Sequence, residues 1–359
     1  MTHVVGDGGF EVHMRERFKN IDKRLITILL IVFVQMVGAS MVVPLLPLYA
    51  KRVFALEPQI ITLLITTFFA AQFAAGPTIG RLSDRYGRLP VLIVSQIGTV
   101  FSFLMLAFAP NVETLFLSRL LDGITGGNII VAQAYITDIS PPKRRTQYLG
   151  FIFAAFGLGF MFGPAVGGIL AGFFGVRIPF ILASIAATLT VLLTWYTLDE
   201  SLTAEQRMAN RNYKKGGMAW RAVIKNQPLM IVLALAFVGQ FVLGLVQATF
   251  ALYGEAVLFV GYSNQITDIG IGVLLAFFGV GQLLTQSLFL QPLLERFGET
   301  RLVIMGSVLR GIGMFIYAVI ATPWLGAVAS IIFAVGMGLM MPSLQGLATQ
   351  TVDEEVRGG

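Results

Sequence analysis

Residues 80–88 read Gly80-Arg81-Leu82-Ser83-Asp84-Arg85-Tyr86-Gly87-Arg88, with an apolar run before them at 60–80 and another after them at 90–109. A run of about 20 apolar residues crosses about 30 Å of hydrocarbon as an α-helix rising about 1.5 Å per residue. The charged stretch therefore reads as a short polar turn between two membrane spans. Strands of a membrane barrel would need alternating segments of about 10 residues, a pattern absent here.

Working outward gives ten spans, at 25–49, 60–80, 90–109, 114–136, 147–171, 178–198, 229–254, 269–290, 302–321 and 324–345. Composition agrees: 56% of the 359 residues are hydrophobic and only 12% charged, with mean hydropathy +0.80, well outside the range of soluble domains. The net charge of +6 sits in short loops rather than on one face of a soluble domain, so it reads as membrane topology and not as nucleic-acid binding. There is no cysteine, and His3 and His13 lie near the N-terminus, which excludes disulfides and His-ligated metal sites inside the membrane. We expect no metal and no cofactor.

Lys and Arg fall almost entirely on one side. That side receives the polar tail 1–24, the 80–88 turn, Lys143 to Arg145, the segment 199–228, Arg296, Arg301 and Arg357; the other has only Lys51, Arg52 and Arg177. The positive-inside rule then places the N-terminus and the 199–228 segment in the cytoplasm of a multi-pass cell-membrane protein. The tail has no short apolar core followed by a small-residue cleavage site, so it does not read as a signal peptide.

The expected domains are the tail 1–24, a six-span bundle 25–198, a linker 199–228 and a second bundle 229–359. Across the linker, Gln291-Pro-Leu-Leu-Glu-Arg-Phe-Gly298 lines up with residues 80–87 at an offset of 211. Parallel six-helix repeats are a transporter architecture, with substrate bound between the halves near the midplane. The second repeat stops after its fourth span, and we expect two further helices to be missing.

The 80–88 stretch matches every specified position of G-x-L-x-D-R-x-G-R, and in this it resembles the major facilitator superfamily. The resemblance implies a latch in which Gly80, Asp84, Arg85, Gly87 and Arg88, with Asp138 at the end of span 4, hold the cytoplasmic side shut and release it when the halves rock. A solvated basic loop explains the arginines but not the glycines or the Asp84 spacing.

In span 4, Arg119 and Asp122 share one helical face inside an apolar run, where a charge costs on the order of 2.5–3.5 kcal/mol and should face a cavity or a partner. Arg119 and Gly123 meet the family pattern R-x-x-x-G, tied to proton transfer in proton-coupled members. On that reading Asp122 carries the coupling proton; the bland alternative is a pair that only fixes packing. Span 5 holds Gly159, Gly163, Pro164, Gly167 and Gly168, similar to the signature of the drug:proton antiporters of the superfamily. Small residues at this spacing also suit plain helix packing.

Residues 118–126, 135–138 and 162–168 look most like the tetracycline efflux pumps. Gln35 and Arg310 stand where those pumps carry acids, so tetracycline, which they move as a metal chelate, is a weak expectation for the substrate. Arg310 either pairs with an acid or faces an anionic group of the substrate. Since the family lines its cavity with spans 1, 4, 7 and 10, Gln35, Asn128, Gln240, Gln247 and Gln345 are the other expected substrate contacts. No Gly-rich loop ending in Gly-Lys-Ser/Thr is present to support ATP-driven export.

The expected function is a monomeric proton-coupled antiporter exporting a drug-like or amphipathic small molecule by alternating access. Import of a nutrient or organic anion by symport or uniport is the alternative. A scaffold or receptor has no need of Arg119 and Asp122 at membrane depth, and an intramembrane enzyme lacks a Ser/His pair or metal ligands within the helices.

Overall fold

The computed structural model describes residues 23–141, 145–212 and 226–350. Most of the tail 1–24, the middle of the linker, Lys143, Arg144 and Arg357 lie outside the described residues. Ten helical segments are long and apolar enough to cross a membrane, matching the ten expected.

Span 1 is α1 (Lys23–Phe54), span 2 α2 (Pro58–Tyr86) and span 3 α3 (Arg88–Ala107). Span 4 is two helices, α4 (Val112–Thr125) and α5 (Asn128–Ile139). Spans 5 and 6 are α6 (Arg145–Phe174) and α7 (Ile178–Thr197), and a short α8 (Ala204–Asn212) lies in the linker. Span 7 is α9 (Gln227–Tyr253), continued by a π-helical turn to Leu258. Span 8 is α10 (Asn264–Leu284), a second π turn and α11 (Leu290–Phe297); spans 9 and 10 are α12 (Glu299–Val319) and α13 (Pro323–Gln350).

Local chemistry sets the ends. Asn111 and Asn226 cap spans 4 and 7 by accepting from Thr114 N and Leu229 N at 3.0 and 3.1 Å, and Pro58 occupies the first turn of span 2, where no N–H partner is needed. α8 opens on a capping box, with Thr203 N donating to Gln206 Oε1 at 2.9 Å and Gln206 N to Thr203 Oγ1 at 3.2 Å.

Two expectations are corrected. The 80–88 stretch is not a loop over most of its length: span 2 stays helical to Tyr86, and the chain turns at Gly87, whose φ of +110° lies in the region open to glycine. Span 4 is not continuous: the helical ladder breaks at Gly126 and Gly127, three residues past the Asp122–Gly123 pair.

Spans 1 and 5, 1 and 6, 2 and 4, and 3 and 6 pack within the first half. Spans 9 and 10 and spans 8 and 10 pack within the second, repeating the 3–4 and 2–4 pairings. Gly298 opens span 9 at φ +73° as Gly87 opens span 3, and the cations before them lie against the next ring in both halves, Arg85 on Tyr86 and Arg296 on Phe297, each at 5.4 Å. The internal repeat is thus carried in backbone as well as sequence.

The interior holds Tyr49, Phe103 and Phe180 in one cluster and Leu92, Tyr135 and Ile152 in another, while Phe73, Tyr196 and Trp324 stand outward. Large apolar side chains on the outside are what a hydrocarbon solvent favours. The end of the bundle holding Arg81, Arg85 and Arg88 is called the basic face below, and the end holding Lys51 and Arg52 the opposite face.

Candidate functional site

The basic face is organised around Arg88, which is buried although charged. Its Nη1 meets Asp84 Oδ1 at 2.7 Å and Ser83 Oγ at 2.7 Å, and its Nε donates to Asp138 Oδ2 at 2.9 Å. The open N-terminus of span 3 is covered by Glu200, which accepts from Arg88 N at 2.9 Å and Leu89 N at 3.2 Å. A Cβ on Gly87 would collide with that carboxylate. Asp84, Arg88 and Asp138 are therefore brought together, with Ser201 donating to Asp138 at 3.0 Å. All these partners belong to the first half, so here the set ties spans 2, 3 and 4 and the linker together. Arg85 faces Tyr86 instead, and Gly80 has open space beside it.

Arg119 and Asp122 face into the first half, between spans 2, 3 and 4. Arg119 Nη1 lies 3.2 Å from Asp122 Oδ2, its Nη2 donates to Ser102 Oγ at 3.1 Å, and the guanidinium sits 5.9 Å from the Phe68 ring. The Thr99 hydroxyl of span 3 stands beside Asp122. Just beyond, Gln72 Nε2 donates to Gly126 O at 3.2 Å across the break in span 4. A discontinuous helix beside a buried carboxylate is a recurring arrangement for ion sites in transporters.

The span 5 glycines serve two neighbours. A Cβ on Gly159 would stand 2.5 Å from Met36 Cβ, one on Gly163 would strike Ser40 Oγ, and one on Gly167 would stand 3.1 Å from Met41 Cβ, so these three face span 1. Gly168 and Pro164 face span 8: a Cβ on Gly168 would collide with Asp268 O, and one on Gly272 would stand 2.5 Å from Pro164 O. One helix thus packs tightly on its own half and, through its other side, on the second half.

The charge cluster that joins the halves was not among the expected site residues. Arg52 Nη1 donates to both oxygens of Asp268 at 2.8 and 3.0 Å, and Arg52 Nε donates to Glu255 Oε1 at 2.8 Å. Lys51 Nζ donates to Glu255 Oε2 at 2.6 Å. The side chain of Asp268 is 3% exposed and that of Arg52 16%. Glu255 and Asp268 are thus committed to Lys51 and Arg52 and do not pair with Arg310.

Beneath this cluster lies a partly open apolar pocket bounded by spans 1, 5, 7, 8, 9 and 10. Phe160, Phe250, Phe278, Phe333 and Tyr317 give it aromatic walls, and Gln247 is the expected substrate residue that borders it. The others do not. Span 4 contributes nothing to this wall, because Asn128 turns to span 3 and donates to Thr99 Oγ1 at 3.4 Å. Gln35 is buried about 12 Å along span 1 from Val43 of the wall, by helical rise. Gln240 and Gln345 are exposed elsewhere. Arg310 lies one turn along span 9 from Met314 of the wall, with Nη2 donating to Gly239 O at 2.8 Å, Nη1 3.1 Å from Met340 Sδ and the guanidinium 5.2 Å from the Phe333 ring. No carboxylate pairs with it among the described residues. By the 211-residue offset Arg310 and Phe333 occupy the places of Thr99 and Asp122, so the second half carries a cation over a ring where the first carries a hydroxyl on an acid.

Comparison with known proteins points the same way as the repeat and the half-to-half packing. The chain is 31% identical over 341 residues to the class H tetracycline resistance protein of Pasteurella multocida, covering 94% of this chain and 83% of that one. It is 32% identical over 339 residues to the class C protein of Escherichia coli, covering 93% and 83%. Multidrug resistance protein 2 of Bacillus subtilis (strain 168) is 27% identical over 275 residues, 76% of this chain and 67% of its own. In fold the chain is similar to a mutant of the nucleoside transporter NupG, with TM-score 0.75 at 15% identity over 93% and 85% of the two chains. A bacterial homologue of the human lysosomal transporter Spinster gives TM-score 0.71 at 20% identity over 93% and 76%. A family model described as Major Facilitator Superfamily matches residues 28–359, and with two repeated bundles meeting at a shared cavity the chain belongs to that superfamily of membrane transporters.

Proposed function

We propose that the chain exports drug-like, aromatic or amphipathic small molecules in exchange for protons, by alternating access between its two bundles. The observation that carries this is the cavity at the join of the halves. Five aromatic rings and an almost wholly apolar lining suit flat, apolar ligands held by stacking. The names of the relatives, tetracycline and multidrug resistance proteins, support the same substrate class.

With the basic face in the cytoplasm, as its Lys and Arg content favours, the Arg52 cluster closes the outer side. Substrate would enter the cavity from the cytoplasm or inner leaflet. Breaking the Arg52 cluster and bringing the Arg88 side of the first half against the second would then release it outside. Asp122, released from Arg119 when it takes a proton, supplies a charge change inside the first half that can bias this step. The chain would act as a monomer, since cavity and gates are built from one polypeptide.

The test is expression in a strain lacking its own pumps, with accumulation of aromatic cationic and anionic dyes followed by fluorescence. Lowered accumulation that a protonophore restores is expected. Raised accumulation would favour import, the alternative for which Arg310, a buried cation without a carboxylate partner among the described residues, is the supporting observation.

A further inference from the structure

A seam of buried polar side chains leads from Asp122 toward the basic face without touching the central cavity. Span 3 turns Ser95, Gln96 and Thr99 inward, all 7% exposed or less. Thr99 contacts Asp122. Gln96, one turn nearer the basic face, is wholly buried, and neither its Nε2 nor its Oε1 has a bonding partner; Oδ1 of Asn128 is in the same condition. A primary amide buried among spans with both ends unbonded is costly, and one or more waters held between such groups is the usual remedy.

The seam continues on span 6, which packs antiparallel to span 3. Ser184 Oγ donates to Val100 O at 3.5 Å and fixes their register. Counted in opposite directions from that bond, Thr190 falls at the level of Ser95, and Thr194 between there and Arg88. Thr194 is wholly buried with its hydroxyl unbonded. Just past the end of span 6 stands Glu200, half-buried against the N-terminus of span 3. The two ends of the seam are therefore carboxylates, about 16 Å apart along span 3 at about 1.5 Å per residue from Thr99 to Arg88.

We propose that waters held by Gln96, Asn128 and Thr194 connect Asp122 to Glu200, forming a proton route inside the first half that is separate from the substrate cavity. This rests on the proton-coupled reading above. Each hop breaks one O–H bond and forms the next, so the proton leaving the Asp122 carboxyl emerges to solvent beside the Glu200 carboxylate and no other bond changes. Two separate paths let an apolar ligand fill the cavity without displacing the waters that carry the proton.

The test needs no transported compound. The carboxyl stretch of protonated Asp122, identified by infrared difference against Asp122→Asn, shifts when the reconstituted protein is moved into D2O, and the rate of that shift reports the route. In Gln96→Leu the shift should slow about tenfold or more, because the chain of waters loses its holder. In Gln96→Ser, where a hydroxyl can still hold water, it should stay near the parental rate. An unchanged rate in Gln96→Leu would overturn the route while leaving Asp122 as carrier. Equal slowing in Leu and Ser would also overturn it, by making the effect one of packing. Failure of any carboxyl band of Asp122 to appear between acid and alkaline pH would instead overturn the proton-carrier reading itself.

Discussion

In Asp268→Asn the opposite face should open, exposing the cavity to a membrane-impermeant thiol reagent added from that side. Asp268 is the most buried member of the cluster, and it takes two bonds from the same Arg52 nitrogen. Removing one charge of a fully buried pair costs about 3–5 kcal/mol, but Arg52 keeps Glu255, and its side chain is 16% exposed, so about 1–3 kcal/mol is the reasonable range. On the proposed alternating access all of that bias acts on the closed state, since the cluster joins spans 1, 7 and 8 across the halves. A shift of that size changes the open-to-closed ratio by about 5–150-fold.

The chain has no cysteine, so a single Ala251→Cys in the cavity wall gives a clean readout of reagent access. Its labelling rate should rise by a comparable factor in Asp268→Asn, and much less in Lys51→Gln, because the Lys51 side chain is 43% exposed and its pairing is weakened by solvent. Equal rates in parent and Asp268→Asn would remove the cluster from the gate.

The second large effect is expected at Asp122. In Asp122→Asn, Arg119 is left as a buried cation, 5% exposed in its side chain, with Ser102 and the Phe68 ring as remaining partners and its Nε unbonded. That loss should cost about 3–5 kcal/mol, read as a lower melting temperature in detergent. Replacing both members, Arg119→Leu with Asp122→Leu, removes the desolvation penalty of the pair and should return stability to near the parental value or above it. Both variants should lose proton-driven transport. The double variant separates fold from function: parental stability with parental coupling would show that the pair is packing only, the bland reading of its sequence spacing.

Much of the architecture follows from apolar run length, because in hydrocarbon a backbone can satisfy its polar groups only as helix or closed barrel. Ten spans and the half-to-half repeat are legible on that ground alone. Boundaries were less so. Tyr86 stays helical because charged side chains on a helix end cost nothing in water, and only the φ of Gly87 marks the turn. The break did carry a signal, paired glycines between Thr125 and Asn128, which a reading by apolar run length alone passes over.

The site was legible where chemistry is local in sequence. Asp84 with Arg88, and Arg119 with Asp122, are one helical turn apart, and helical spacing is enough to pair them. The Arg52 cluster joins residues more than 200 positions apart, so it needed the fold. Its signal was nonetheless present: two cations and two acids on a side otherwise poor in Lys and Arg. Expected cavity residues failed for a different reason. Polarity at membrane depth does not say which side of a span a residue faces, and Asn128 and Arg310 both turn into their own half.

The rocking of one half against the other is tested most directly by distances on the two faces, measured in lipid by pulsed electron resonance between pairs of introduced cysteines. Gln59 with Tyr262 reports the opposite face and Tyr86 with Thr300 the basic face, all four being exposed positions. Comparing the parent with Asp268→Asn, the first distance should lengthen while the second shortens. Lengthening on the opposite face with no change on the basic face would contradict alternating access by rigid halves.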